Sequence, residues 1–214
     1  MPKGDSQHED AQMSDGTGAT MGVSPNARRS PADGVVIGPL DAGHLDAVEP
    51  LWRALIDHLR ASEVVALVPH ELSWPRRRAI YEELLADGDS FGLGAWRGDR
   101  LIGYAVVRVL PADAVWDTGA HFAELTSLSV APGERGSGLG TLLLDAAEDG
   151  LLARGIDQYC IGVDVGNDDA QRFYERRGFR DGFHLLHGCI AARRAAGGEA
   201  GPDETPETAS HGED

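Results

Sequence analysis

A strand, a glycine-rich turn and the start of a helix follow one another directly over residues 122–144. Apolar and β-branched side chains predict a buried strand that ends at Pro132, and three alternating glycines follow it: Gly136, Gly138 and Gly140. Because glycine has no Cβ, a phosphate can approach this backbone closely, and the first N–H groups of the helix point towards it. The segment therefore predicts a binding site for a phosphate-bearing ligand.

The spacing of the glycines separates several classes of phosphate ligand. A P-loop requires a lysine after the last glycine, and none is present, which argues against nucleoside triphosphate hydrolysis. Gly136, Gly138 and Thr141 nearly supply a Rossmann fingerprint, with Asp164 as the ribose-binding acid. The chain beyond the turn is short for the further βα units of such a fold, but a dinucleotide-binding protein stays as an alternative.

Three motifs in a fixed order resemble the GNAT superfamily of acyl-coenzyme A-dependent N-acyltransferases. Glu-Leu-x-x-Leu-x-Val-x-Pro begins at Glu124, Arg-x-x-Gly-x-Gly begins at Arg135, and Asn-x-x-Ala-x-x-Phe-Tyr-x-x-x-Gly-Phe begins at Asn167. The resemblance is specific over residues 122–179 and only architectural over residues 35–121. It implies an α+β protein with the GNAT fold, in which a mixed, mostly antiparallel sheet is flanked by helices and a splayed parallel strand pair lines the cofactor groove.

Hydrophobic periodicity along the chain predicts the element order β-α-α-β-β-β-α-β-α-β, which is that of the GNAT fold. The predicted strands are residues 35–40, 91–96, 101–110, the motif strand, 159–165 and a last strand or hairpin over 179–191. The predicted helices are residues 41–61, 75–86, one starting near Gly138 and one starting at Asp168, where Gln171 completes a capping box.

Composition predicts a single folded domain over residues 34–194, between a disordered tail at residues 1–33 and a disordered acidic tail at 195–214. The formal net charge of −16 argues against nucleic acid as a partner and mildly favours a cationic amine acceptor. The alternative is that the negative surface charge only keeps the protein soluble. Without an apolar leader or a long apolar run, we expect a cytoplasmic protein and no membrane partner. Cys160 and Cys189 lie in apolar runs, which predicts buried free thiols and no metal site.

The resemblance implies an N-acetyltransferase that uses acetyl-CoA as co-substrate and transfers the acetyl group to an amine by direct attack. It places the cofactor along the motif strand, the glycine turn and the last motif: Leu128, Ser129, Val130, Arg135, Gly136, Ser137, Gly138, Leu139, Gly140, Thr141, Asn167, Ala170 and Phe173. A strand bulge near residues 127–129 would offer a backbone N–H to the oxyanion. The alternative for the glycines is an ordinary strand-to-helix turn, and Asn167 is also a typical helix cap.

Two residues are assigned to proton transfer. Tyr174 is expected to protonate the departing thiolate, with aromatic packing as the alternative. Glu124 is the expected base for the amine; a salt-bridged glutamate, His121 or a water relay are the alternatives. The acceptor is expected over residues 52–81 and the loop 111–121, where Trp116 and Asp117 suit a cationic amine. A non-catalytic CoA-binding module remains open, and so does a homodimer.

Overall fold

A computed structural model describes residues 28–29, 34–60, 67–112, 114–186 and 188–190. The chain divides into two units: residues 1–60 with 68–162, and residues 61–67 with 163–214. Most of both predicted tails lies outside the described residues. Within the predicted N-terminal tail, however, Arg28–Arg29 forms a two-residue strand.

A six-stranded sheet forms the centre of the first unit, with its strands in chain order from β1 to β6. The strands are β1 (Arg28–Arg29), β2 (Val35–Leu40), β3 (Phe91–Arg97), β4 (Arg100–Pro111), β5 (His121–Val130) and β6 (Tyr159–Cys160). Every neighbouring pair is antiparallel except β5 and β6, which are parallel. This mixed sheet has the predicted α+β architecture, and it is not the parallel sheet that a dinucleotide-binding fold requires.

The described part of the first unit contains three α-helices: α1 (Leu45–Leu59), α2 (His70–Ala86) and α3 (Leu139–Leu152). The predicted first helix is preceded by a separate 3-10 turn, Ala42–His44, which the Asp41 side chain caps. The second helix begins at His70, five residues before its predicted start at Pro75. Pro75 lies inside α2 and does not begin it. The third begins directly after Gly138, as the glycine turn predicts.

The helices cover opposite faces of the sheet, and neighbouring residues of β4 identify the two faces. Tyr104 belongs to a buried cluster with side chains of α1 and α2, among them Trp52 and Tyr81. Gly103, one residue earlier, faces Leu143 of α3. Because side chains alternate along a strand, the register of β4 assigns the partner residues of β5 to the same two faces.

A β-bulge interrupts the pairing of β4 with β5. Val106 lies opposite Ser127 and Val107 lies opposite Leu125, so Thr126 is the extra residue. An extra residue reverses the alternation of side chains beyond it. The bulge expected from the family resemblance is therefore present, one residue before the predicted range 127–129.

Parallel pairing between β5 and β6 is limited to two residue pairs, Ala123 with Tyr159 and Glu124 with Cys160. β5 continues to Val130, so the parallel pair separates directly before the bulge, as the predicted splay requires. The predicted strand over residues 159–165 was too long, because β5 bends at Thr126 and the pairing ends at Glu124.

The second unit contains α4 (Asp168–Arg176). Its cap is Asn167, whose side-chain oxygen accepts from the Ala170 amide at 3.3 Å; the predicted capping box of Asp168 and Gln171 was wrong, since Asp168 is already the first helical residue. No strand occurs in the described part of residues 179–191. The apolar residues there, such as Leu185 and Leu186, are exposed, so the apolar run that predicted a strand has no sheet partner within this unit.

The two cysteines differ from the expectation of buried thiols. Cys160 is half-buried on β6, and its burial raises the pKa of the thiol. Cys189 is exposed, because the strand predicted to bury it is not formed in the described residues. Across the described part of the chain, none of the helices has the length and apolar character needed to cross a bilayer.

Candidate active site

The glycine turn positions the N-terminus of α3 at the end of β5. Gly136 and Gly138 have φ of 77° and 85°, a left-handed conformation that side chains other than glycine disfavour. Gly138 is the N-cap residue of α3, and its helix end has no side-chain cap. The first amides of a helix have no intrahelical acceptor, so those of Leu139, Gly140 and Thr141 are available to an anion.

The residues before the turn are fixed to the sheet and to one another. Glu134 forms a hydrogen-bonded ion pair with Arg97 of β3, and the guanidinium lowers the pKa of the Glu134 carboxyl. The Ser137 hydroxyl donates to the Glu134 carbonyl at 2.6 Å, and the Ser137 amide donates to the same oxygen at 3.4 Å. The turn is thus already folded around the position where the phosphate is expected, which limits the reorganisation on binding.

Arg135 lies in this turn with an exposed side chain. The neighbouring carboxylate, Glu134, is paired with Arg97. Within the described ranges, no carboxylate lies within ion-pair distance of Arg135. Its exposed guanidinium is therefore not held by a carboxylate of the described residues.

Glu124 lies on the α1–α2 face of the sheet because of the bulge. It is opposite Arg108 of β4, while Ser127 and Ser129, beyond the bulge, lie opposite Val106 and Tyr104 on the same face. Glu124 and Arg108 form an ion pair, with 29% and 44% of their side chains exposed. Glu124 is therefore salt-bridged, which was one of the alternatives predicted for it, and its carboxylate still reaches solvent.

Polar groups inside this face form a connected chain of hydrogen bonds. The Tyr81 hydroxyl donates to Ser127 Oγ at 2.6 Å, and Ser127 Oγ donates to the Thr126 carbonyl at 2.7 Å. Ser129 Oγ contacts the Leu51 carbonyl of α1 at 3.3 Å. Burial raises the pKa of Tyr81, which keeps its hydroxyl a donor at neutral pH.

The other strand residues expected at the cofactor lie on the opposite, α3 face. Leu128 is opposite Ala105 and Val130 is opposite Gly103, and both side chains are half-buried. Their backbone groups follow the bulge, on the part of β5 that has no parallel neighbour. This edge is where an extended ligand can form hydrogen bonds with the strand.

The candidate acceptor residues divide into core and surface positions. Trp74 and Tyr81 are buried, so they pack in the core. Trp116 is 49% exposed and its ring lies edge-on to Phe122, while the Asp117 carbonyl accepts from Gln158. His121, the alternative base, is exposed at the start of β5.

The second unit places its four predicted site residues on or beside α4. Asn167 caps the helix, and Ala170, Phe173 and Tyr174 follow on one face at helical spacing. Tyr174 is buried, with its ring edge-on to Phe173 at 5.0 Å and to Phe179 at 5.3 Å. Burial raises the pKa of the Tyr174 phenol above its ordinary value.

Two contacts of this site were absent from the sequence predictions. The ion-pair partner Arg108 was not named, although it is the one charged residue of the predicted strand 101–110. The hydrogen bond between Tyr81 and Ser127 joins residues 46 positions apart, and no local pattern indicates it. Within the described ranges, no cluster of three or more His, Cys, Asp or Glu side chains could bind a metal ion.

Known proteins with similar sequences are acetyltransferases. Residues 51–179 match the model of the acetyltransferase (GNAT) family. N-alpha-acetyltransferase 30 of Schizosaccharomyces pombe is 27% identical over 122 residues, which are 57% of this chain and 79% of that protein. Mycothiol acetyltransferase of Geodermatophilus obscurus is 32% identical over 161 residues, which are 74% of this chain and 48% of that protein, so this chain spans about half the length of that relative.

A solved structure agrees with the fold. An aminoglycoside N-acetyltransferase in complex with CoA is similar with a TM-score of 0.57 and 17% identity, over 72% of this chain and 93% of that chain. The family match covers more than half of the chain and includes the bulged strand, the glycine turn and α4. The chain is an acyltransferase enzyme, and it belongs to the acetyltransferase (GNAT) family.

Proposed function

We propose that this enzyme transfers the acetyl group of acetyl-CoA to a primary amine, by direct attack of the amine on the thioester. The observation that carries the proposal is the N-terminus of α3, which begins at a left-handed Gly138 without a side-chain cap. The amides of its first turn suit the pyrophosphate of coenzyme A, since a helix N-terminus favours anions. Arg135 would add a positive charge beside them.

The acetyl end of the cofactor would lie along the free edge of β5. The pantetheine arm carries amide groups that can pair with backbone groups of Leu128 and Val130, as an added strand does. A backbone N–H at or after the bulge, over residues 127–129, would then donate to the oxyanion of the tetrahedral intermediate. The family resemblance also assigns Asn167, Ala170 and Phe173 to the cofactor.

Glu124 and Tyr174 would carry the proton transfers. An amine with a pKa near 10 is mostly protonated at neutral pH, and the partly exposed Glu124 carboxylate can accept its proton directly or through water. A phenol of ordinary pKa is already protonated at neutral pH, and burial raises the pKa of Tyr174 further. Its hydroxyl proton would therefore be present for transfer to the thiolate as the carbon–sulfur bond breaks.

The acceptor would be an amine on a small molecule or a protein. The net charge of −16 favours a cationic acceptor, because opposite charge raises the encounter rate. Trp116 and Asp117 on the loop before β5 offer an exposed ring and a neighbouring carboxylate for such a cation.

A thiol-release assay tests the proposal. Acetyl-CoA at saturating concentration would be incubated with a panel of polyamines, amino acids, aminoglycosides and peptides with free N-termini. Amine-dependent release of free CoA, with a matching gain of 42 Da on the acceptor, about the mass of an added acetyl group, is the expected result. Binding of acetyl-CoA without release for any amine would instead favour the non-catalytic CoA-binding module.

A further inference from the structure

The carbonyl groups at the β5 bulge are bonded by side-chain hydroxyls. Thr126 Oγ1 donates to the Val106 carbonyl of β4 at 3.0 Å, and Ser127 Oγ donates to the Thr126 carbonyl at 2.7 Å. Buried backbone polar groups require partners, and a bulge disrupts the regular ladder that would supply them. The two hydroxyls therefore stabilise the bulged arrangement over a regular one.

The orientation of Ser127 depends on a third hydroxyl. Ser127 Oγ uses its proton for the Thr126 carbonyl and accepts from the Tyr81 hydroxyl at 2.6 Å. Tyr81 is completely buried, and its ring lies edge-on between Trp52 and Tyr104. Because its ring is held on both sides, the Tyr81 hydroxyl has a defined position, and Ser127 Oγ is bonded to it there. In this way α2 constrains the residues of the bulge on β5.

The bulge decides the direction of Glu124. Ser127 is on the α1–α2 face, and in a regular strand the residue three positions earlier would point to the opposite face. The extra residue Thr126 brings Glu124 onto the same face as Ser127 instead. Loss of the bulge would move the Glu124 carboxylate to the α3 side of the sheet.

We propose that Tyr81 is a positioning residue for the reaction: through its hydrogen bond to Ser127 it holds the bulge at Thr126 and thereby keeps Glu124 on the α1–α2 face. The inference rests on the proposed function, since it assigns Glu124 to amine deprotonation. Tyr81 itself touches neither substrate nor cofactor. Its effect should appear in turnover more than in acetyl-CoA affinity, because the proposed pyrophosphate site lies beyond the end of β5, whereas Glu124 and the proposed oxyanion donor lie beside the bulge.

The test is Tyr81→Phe, which removes one hydroxyl and keeps the packed ring. Its matched control is Tyr159→Phe, which makes the same change at a hydroxyl that donates to Glu148 of α3 at 2.7 Å. We expect kcat to fall by about tenfold in Tyr81→Phe, because small misplacements of a reacting group cost one to two orders of magnitude. The Kd for acetyl-CoA by calorimetry should change much less than kcat, and Tyr159→Phe should keep normal kcat.

A double variant separates positioning from general structural damage. If Tyr81 acts through Glu124, Tyr81→Phe should lower kcat less in a Glu124→Gln background than in the wild-type chain, since coupled residues are non-additive. Ser127→Ala should give no added loss when combined with Tyr81→Phe. An equal loss of kcat in the Tyr159→Phe variant, or a full tenfold loss in the Glu124→Gln background, would overturn the proposal.

Hydrogen exchange supplies a readout that does not depend on catalysis. Peptides covering residues 121–130 should exchange faster in Tyr81→Phe than in the wild-type chain, and Tyr159→Phe should match the wild type. Unchanged exchange in Tyr81→Phe would contradict the proposed hold on the bulge. If no amine supports CoA release while exchange still responds to Tyr81→Phe, the proposed function fails and the bulge contact stands.

Discussion

The Glu124 carboxylate is ion-paired with the Arg108 guanidinium, its direct neighbour across the β4–β5 ladder. The pair lies at the point where β5 leaves its parallel neighbour β6. A glutamate in this place combines a fixed position with access to solvent, since 29% of its side chain is exposed. Both properties are needed in a base that receives a proton from an incoming amine.

Glu124→Gln should lower kcat by about 10²-fold, within the usual range for loss of a general base. The acidic limb of the pH–rate profile should also become flat, because the amide cannot be protonated in that range. Stopped assays from about pH 5 to about pH 9, a range between the ordinary pKa values of a carboxyl group and an amine, would measure both effects. Glu82→Gln is the control, since Glu82 is an exposed glutamate paired with Arg78 on α2. An unchanged acidic limb would point to His121 or a water relay.

Tyr174→Phe should also lower kcat by about 10²-fold, with a larger loss for acyl donors whose thiol is a poor leaving group. Burial raises the pKa of Tyr174, so the phenol stays protonated as the pH rises through neutrality and its loss of activity should begin only under alkaline conditions. Tyr159→Phe is the matched control, because its hydroxyl bonds to Glu148 at 2.7 Å. Full kcat with good and poor leaving groups alike would make water the proton donor.

Gly138→Val should weaken acetyl-CoA binding by about tenfold or more. A valine would have to adopt φ near 85°, which costs on the order of 1–3 kcal/mol for a non-glycine residue, and its side chain would project from the N-cap of α3. Calorimetry on the folded variant measures the affinity. Gly133→Val is the control, since Gly133 lies in the preceding 3-10 turn with open space around it and no positive φ. Equal affinities for both variants would remove the glycine turn from the binding site.

A fragment of residues 34–194 should fold and bind acetyl-CoA with the affinity of the full chain. The residues outside it are rich in Gly, Ser, Asp, Glu and Pro and carry little apolar surface to bury. Loss of Arg28–Arg29 removes one short edge strand from the sheet, so a small decrease in melting temperature is expected. A fragment that fails to fold, or folds without binding acetyl-CoA, would assign a tail to the domain.

The two thiols should react at different rates with an alkylating reagent. Cys189 is exposed, whereas Cys160 is half-buried and its burial raises the thiol pKa, which lowers the reactive thiolate fraction at neutral pH. Mass spectrometry of peptides after short exposure to iodoacetamide should find Cys189 modified first. Unfolding in denaturant should equalise the rates, and equal rates in the native protein would contradict the described burial of Cys160.

The glycine turn and the helix after it were predictable because their signals are local. Gly138 supplies the left-handed N-cap and the apolar residues after it supply the buried stripe of α3, so a few neighbouring positions determine both. The β3–β4 hairpin is similar, since Gly98, with φ of 59°, closes its tight turn. The same local reasoning failed over residues 179–191, where an apolar run has no strand to pair with in the described part of its unit.

The sequence by itself determined that a glycine turn and a helix N-terminus follow a strand carrying Glu124. Only the tertiary structure decided where that glutamate points. Strict alternation would place Leu125 and Ser127 on the same face of β5, whereas in the structure Leu125 and Leu128 share a face because Thr126 is an extra residue. Glu124 is paired with Arg108 across the ladder and Ser127 with Tyr81 of α2, and both partners are distant in the chain. Contacts of this kind form only when separate elements pack together, so no short stretch of sequence encodes them.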